Sequence, residues 1–131
     1  MRVELPWPPS KLSRNGSQGD WRGKAAAAKQ YRRDCVIALK TARGKVVAQD
    51  GQPIMLVLKY HAPDKRRRDL DNLLAMTKQG IDAISEGLGI DDSRFEFTLK
   101  RGEPCKPSKV VVTKVRNNTY MKDEYMALPR C

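Results

Sequence analysis

The chain has 131 residues, which suits one domain with a hydrophobic core of its own. Its composition, 40% hydrophobic and 31% charged residues, is typical of a globular protein, and no apolar run reaches the roughly 18 to 20 residues of a membrane span. The formal net charge of +11 indicates an anionic partner, nucleic acid before an acidic membrane surface, because a membrane-binding helix would add bulky apolar anchors to its basic residues.

The N-terminal half predicts a strand, a polar, glycine-containing loop with basic residues, and a helix. The strand is "RVELPW", the loop covers residues 11–20, and Asp20 is the expected N-cap of a helix over residues 21–42. Small or apolar residues recur in that helix at helical spacing, and basic residues fill much of the remainder. We expect part of this basic face, with Arg32 and Arg33, to contact phosphate.

The C-terminal half predicts a strand over residues 54–62, a helix over residues 70–86 and two further strands. The helix is expected to end at Gly87 and Gly89, and the last strands, within "RFEFTL" and at residues 108–115, are expected to form an antiparallel pair. The predicted architecture is a small α/β domain, residues 1–115, with a mixed sheet packed against two main helices. Residues 116–131 are expected to form a polar C-terminal tail.

The three cysteines and the single histidine are too dispersed for a structural zinc site, which needs about four ligands at close spacing. The N-terminus, "MRVELPWPPS", has no apolar segment typical of a secretory signal. We therefore expect a cytosolic protein with reduced thiols.

The stretch "KRRRDLDN", residues 65–72, joins four cations to two aspartates. One interpretation is local: Asp69 caps the following helix, and Asp71 in its first turn interacts favourably with the helix dipole. This interpretation explains the aspartates but leaves four successive cations unexplained.

The other interpretation is a divalent-metal site that acts on a phosphodiester. Asp69 and Asp71 follow a strand and begin a helix, so both can direct carboxylate oxygens, which Mg²⁺ prefers, at one point. Asp91 or Asp92, after the helix, could supply a third carboxylate. Lys78 shares a helical face with Asp71 and could stabilise charge on the phosphate.

The chain resembles the RusA family of Holliday-junction resolvases, small phage and bacterial endonucleases. The resemblance rests on "LPWPPS", "YRRD", "PDKRRRDLDNL" and "IDDSRF", which occur in that order along the predicted domain. It implies a homodimer in the cytoplasm of a bacterial or phage-infected cell. Such a dimer binds four-way DNA junctions and nicks two opposed strands with Mg²⁺.

The resemblance also implies which residues act. The metal-binding aspartates of the family carry over to Asp69, Asp71 and Asp92, with Asp91 as the competing choice for the third. The family's catalytic lysine stands four residues after the second aspartate, where this chain has Ala75, so the role passes to Lys78. A family asparagine two places after "PPS" is replaced by Leu12.

Two other functions stay open at this stage. A non-catalytic module of the same fold would bind nucleic acid through its cations and use the aspartates as caps and ion-pair partners. A protein that binds acidic protein partners has less support. For both the endonuclease and the non-catalytic binding module, the expected DNA contacts are Lys65, Arg66, Arg67, Arg68, Arg32 and Arg33.

Overall fold

A computed structural model describes residues 1–13, 21–42, 44 and 51–115. The predicted Asp20 cap, part of the loop predicted over residues 11–20 and the predicted C-terminal tail lie outside these residues. The described elements are β1 (Arg2–Pro6), α1 (Trp21–Leu39), β2 (Ile54–His61), α2 (Leu70–Met76), α3 (Lys78–Leu88), β3 (Phe95–Arg101) and β4 (Lys109–Val115), with short 3₁₀ turns at Ser10–Leu12 and Asp92–Arg94.

The strands form one mixed sheet in the order β1-β4-β2-β3, which confirms the predicted α/β class. β4 runs antiparallel to both of its neighbours, with Val112 opposite Val3 on β1 and opposite Leu58 on β2. β2 and β3 are parallel and are joined by the crossover that contains α2 and α3.

The predicted antiparallel pairing of the last two strands is wrong. The crossover places β3 beside β2 at one edge of the sheet, and β4 enters on the opposite side of β2. The connection between them passes over the end of β2, where Gly102 N–H donates to the Tyr60 carbonyl at 2.8 Å and Cys105 N–H donates to the Ala62 carbonyl at 2.9 Å. This segment is longer than a usual hairpin loop, which agrees with its path across a strand.

The helix predicted over residues 70–86 is two helices, so the described residues form three α-helices instead of the two main helices predicted. The break lies at Thr77, which has φ −90° and ψ 0°. Its hydroxyl donates to the Leu73 carbonyl at 2.6 Å and lies 3.1 Å from the Tyr60 hydroxyl on β2. A threonine that bonds back to its own helix and also to a neighbouring element bends the helix at that point.

The helices cover one face of the sheet and form the core with it. Tyr31 and Cys35 of α1, Ile84 of α3, and Leu56 and Leu58 of β2 are all almost completely buried. Gly80 lets α3 approach its neighbours closely, because a Cβ there would lie 2.9 Å from Leu5 Cδ1 and 3.2 Å from Cys35 Sγ. α3 ends as predicted near its glycines, with Gly89 in the left-handed conformation.

The cysteines differ from the expectation of reduced thiols. Cys105 is disulfide-bonded, whereas Cys35 is a free thiol in the core, and burial raises the pKa of Cys35 to about 11. Within the described ranges, no helix is long and apolar enough to cross a membrane.

Candidate active site

Asp69 occupies the N-cap position of α2, as predicted, but its side chain caps nothing. The backbone has the extended conformation of an N-cap, at φ −79° and ψ 132°, and no hydrogen bond runs from the carboxylate to the helix. Asp69 and Asp71 are both exposed at the start of this helix. The local interpretation therefore fails to account for the Asp69 carboxylate.

A groove lies along the crossover between β2 and β3. We call it the crossover groove; it is lined by Leu74, Ala75, Lys78, Ile81, Asp82, Asp92 and Phe97. Lys78 and Asp92, two of the predicted catalytic residues, thus face the same space. Ala75, Lys78 and Asp82 line this groove together, whereas Asp71, predicted to share a helical face with Lys78, is not part of its lining.

Asp71 lies three residues before Leu74, the first α2 residue of the groove lining, a separation of roughly 4.5 Å along the helix axis. Asp69 lies two residues earlier. The structure thus places Asp92 and Lys78 in the groove and the first two aspartates beyond its α2 end.

The neighbouring residues Asp91 and Asp92 have different positions in the turn before β3. The Asp91 carboxylate accepts a hydrogen bond from the Ser93 N–H at 2.9 Å and caps the 3₁₀ turn, and this bond lowers the pKa of Asp91. Asp92, by contrast, lines the crossover groove. The geometry favours Asp92 as the residue available to a ligand.

The carboxylates do not form a closed metal cage. Among the residues that the structure describes, no three His, Cys, Asp or Glu side chains converge closely enough to hold a metal ion. A cation at this site would therefore need ligands besides these side chains, such as water or a phosphate oxygen.

The predicted basic run forms an ordered loop before α2, which we call the basic loop (residues 64–68). The Asp64 carboxylate accepts from the Arg66 N–H at 2.9 Å and forms an ion pair with Arg68 at 2.9 Å. Arg68 also donates to the Arg66 carbonyl at 3.0 Å, and its guanidinium lies 5.7 Å from the centre of the Trp7 ring. The Arg68 hydrogen bond holds the pKa of Asp64 below its usual range.

The other cations of the loop differ from Arg68. Lys65, Arg66 and Arg67 are exposed, and their side chains make no hydrogen bond or ion pair with the part of the chain that the structure describes. On α1, Arg33 is likewise exposed, whereas Arg32 pairs with Glu86 of α3. Four of the six predicted DNA-contacting side chains are thus unengaged by the described protein.

Comparison with known proteins identifies the family. A protein of Escherichia coli K12 named crossover junction endodeoxyribonuclease RusA is 33% identical over 96 residues, which cover 70% of this chain and 73% of that protein. The enzyme of the same name from Enterobacteria phage 82 is 34% identical over 94 residues, with the same coverage. The chain belongs to the RusA family.

Two other comparisons bear on this membership. An uncharacterized protein of Xylella fastidiosa is 33% identical to this RusA-family chain over 114 residues, which cover 85% of the chain and 73% of the relative. No family model matches the chain.

The structure accounts for one departure of this RusA-family chain from the family pattern. Leu12, in place of the family asparagine, is buried in the 3₁₀ turn after "PWPPS" and belongs to the core. The position therefore has a packing role here.

Two residues near the candidate site were not predicted from the sequence. Asp82 was not among the predicted site residues, yet it lines the crossover groove. Asp64 was not considered, although an aspartate directly after a proline is a common signal for a turn.

Proposed function

We propose that this protein is a Mg²⁺-dependent endonuclease that resolves Holliday junctions by paired nicks during DNA recombination and repair. The relatives named crossover junction endodeoxyribonuclease supply the reaction class. The remainder of the proposal is supported by the chemistry of the described side chains.

The observation that carries the proposal is the Asp69 carboxylate. It stands at a helix N-cap without capping the helix, and it makes no hydrogen bond or ion pair with the described residues. It directly follows the exposed cations of the basic loop, which suit a DNA backbone. A carboxylate in that position would repel DNA unless a cation came between them.

Mg²⁺ fits the available donors. It is a hard cation that commonly binds one or two carboxylates and completes its shell with water and substrate phosphate, so it does not need a closed protein cage. Asp69, Asp71 and Asp92 are exposed oxygen donors of this kind. When bound, the metal would neutralise phosphate charge and lower the pKa of a water nucleophile.

The other residues have separate roles in this proposal. Lys78 places a positive charge in the crossover groove beside Asp92, where it would stabilise charge on the scissile phosphate. Lys65, Arg66 and Arg67 would bind the flanking backbone. Since each nick needs one set of these residues, paired nicks require two copies of the chain, and we propose a symmetric homodimer.

Incubation of the purified protein with synthetic four-way, three-way and linear DNA, with and without Mg²⁺, tests the proposal. We expect nicks only with Mg²⁺ and mainly in the four-way junction. Asp71→Asn should reduce the cutting rate by at least about a hundredfold, because it removes a metal ligand, while junction binding stays the same or strengthens.

A matched control is Glu96→Gln, which removes one exposed carboxylate on β3 without touching the candidate site. It should cut as the wild type does. Junction binding by the wild type without any nicks would favour the non-catalytic binding module instead. Near-normal cutting by Asp71→Asn would refute the assignment of the site.

A further inference from the structure

Asp64 is an acidic residue directly beside four cations of a surface proposed to bind DNA. From its charge alone, Asp64 should weaken DNA binding, because it repels phosphate and cancels part of the attraction between the cations and DNA. Its contacts indicate the opposite. One carboxylate holds both a backbone N–H and a side chain of the loop, at Arg66 and Arg68, each at 2.9 Å.

The contact between the Asp64 carboxylate and the Arg66 N–H closes a turn of the Asx type, which fixes the backbone between the two residues. The ion pair with Arg68 then fixes the far end of the loop. Arg68 also donates to the carbonyls of Arg66, at 3.0 Å, and Asp64, at 3.4 Å. The loop is thus held closed on itself around one carboxylate and one guanidinium.

The closed loop is also attached to the sheet. The Arg68 guanidinium lies over the Trp7 ring, and Trp7 packs edge-on against Tyr60 of β2, with ring centres 6.1 Å apart. The Arg68 carbonyl accepts from Arg101 at the end of β3, at 3.2 Å. Arg68 is therefore held at both its side chain and its main chain, immediately before Asp69.

We propose that Asp64 is a positioning residue for phosphate binding. It holds Arg68 in contacts within the protein and so keeps the loop in one conformation. Lys65, Arg66 and Arg67 can then bind the phosphodiester backbone from a preformed loop. This inference rests on the proposed function for its ligand, DNA. A preformed loop loses less conformational freedom on binding than an open one, which raises affinity even though Asp64 is itself an anion.

The test compares Asp64→Ala with Glu96→Ala, an exposed carboxylate on β3 whose loss changes the net charge equally. If charge alone mattered, both variants would bind a four-way junction slightly more tightly than the wild type. The proposal predicts that Asp64→Ala binds more weakly than Glu96→Ala, by roughly three- to fivefold, as expected for the loss of an exposed ion pair. Asp64→Asn, which keeps an acceptor for the Arg66 N–H, should lie between them.

A second measurement needs no DNA. The basic loop consists mainly of trypsin sites, so the initial rate of cleavage after residues 65–68, followed by mass spectrometry, reports how often the loop opens. Asp64→Ala should be cut there several times faster than Glu96→Ala, while the melting temperatures stay similar because Asp64 is exposed.

The outcomes separate this inference from the proposed function. If the wild type binds junctions but never cuts them, the proposed endonuclease activity fails, and the binding and trypsin comparisons still decide the role of Asp64. Equal trypsin rates in Asp64→Ala and Glu96→Ala would overturn the inference. It would equally be overturned if the loop opened more often in Asp64→Ala without any loss of junction affinity.

Discussion

The hydroxyl pair of Thr77 and Tyr60 should be energetically coupled, because each is the other's partner inside the core. Tyr60 is 2% exposed, Thr77 is fully buried, and their hydroxyl oxygens are 3.1 Å apart. Burial raises the pKa of Tyr60 to about 12, so its hydroxyl stays protonated at neutral pH. The proposed perturbation is Thr77→Val, alone and together with Tyr60→Phe.

The magnitudes follow from which polar groups lose their partners. Thr77→Val leaves the Tyr60 hydroxyl buried and unpaired, which costs about 1–3 kcal/mol of unfolding free energy. The Leu73 carbonyl keeps the Thr77 N–H as a donor at 3.1 Å, so it adds little. Tyr60→Phe alone should cost about 0.5–1.5 kcal/mol, because the Thr77 hydroxyl still donates to Leu73.

In the double variant no hydroxyl is left unpaired, so its loss should be smaller than the sum of the single losses by about 1 kcal/mol. Urea unfolding followed by circular dichroism measures this, at one fixed protein concentration because the apparent stability of the proposed dimer depends on concentration. Single effects that add within about 0.5 kcal/mol would refute the coupling. If the bend at Thr77 also orients Lys78, the single variant should cut DNA more slowly than its lost stability explains.

Three other predictions concern the site and the sheet. Lys78→Ala should lower the single-turnover cutting rate more than junction affinity, because a charge placed at the scissile phosphate acts mainly in the transition state. Neutralising Arg66 and Arg67 together should reduce the log–log salt slope of junction binding by roughly 1.4 to 1.8, at about 0.7 to 0.9 per lost phosphate contact. Gly102→Ala should destabilise the domain by about 1–3 kcal/mol, since its Cβ would lie only 2.5 Å from Cε1 of the buried His61 ring.

Two of these predictions have a control within the chain. Lys40→Ala removes an exposed cation beyond the end of α1 and should leave the cutting rate unchanged. Gly87→Ala, within α3, adds a methyl group 3.4 Å from Leu39 Cδ1 of α1, which is ordinary contact, so it should be neutral or stabilising. An unaltered cutting rate in Lys78→Ala would show that Lys78 is not part of the site. An unaltered salt slope in a folded Arg66 and Arg67 double variant would show that these arginines do not contact DNA. Wild-type stability in Gly102→Ala would refute the predicted clash.

The elements that the sequence predicted well are those with a local signal. α1, β2, the start of α2 and the end of α3 follow from side-chain periodicity and glycines, and Asp69 was expected at the helix start. The break at Thr77 had no such signal, because threonine is only mildly unfavourable inside a helix. At this break the Thr77 hydroxyl bonds back to Leu73 and also contacts Tyr60, which comes from a different element.

The strand order and the contacts within the basic loop could not be predicted from the sequence, for a similar reason. Whether β4 pairs with β3 or with β1 and β2 depends on contacts between distant parts of the chain, which hydrophobic alternation does not encode. The positions of the cations were evident, but the separate role of Arg68 depends on Trp7, some 60 residues earlier in the sequence. The metal, the DNA contacts and the dimer remain predictions.

The pairing of β1 with β4 has a consequence for how the protein is made. β1 begins at Arg2, but the strand it pairs with begins only at Lys109, so at about 5–20 residues per second β1 remains unpaired on the ribosome for roughly 5 to 20 s. Once β2 has been synthesised, it too lacks β4 along one edge until the chain reaches Lys109, by which time the segment with Asp69, Asp71 and Asp92 has been made. An open strand edge is prone to pair with other chains, so the nascent protein is most vulnerable to aggregation just before β4 is added.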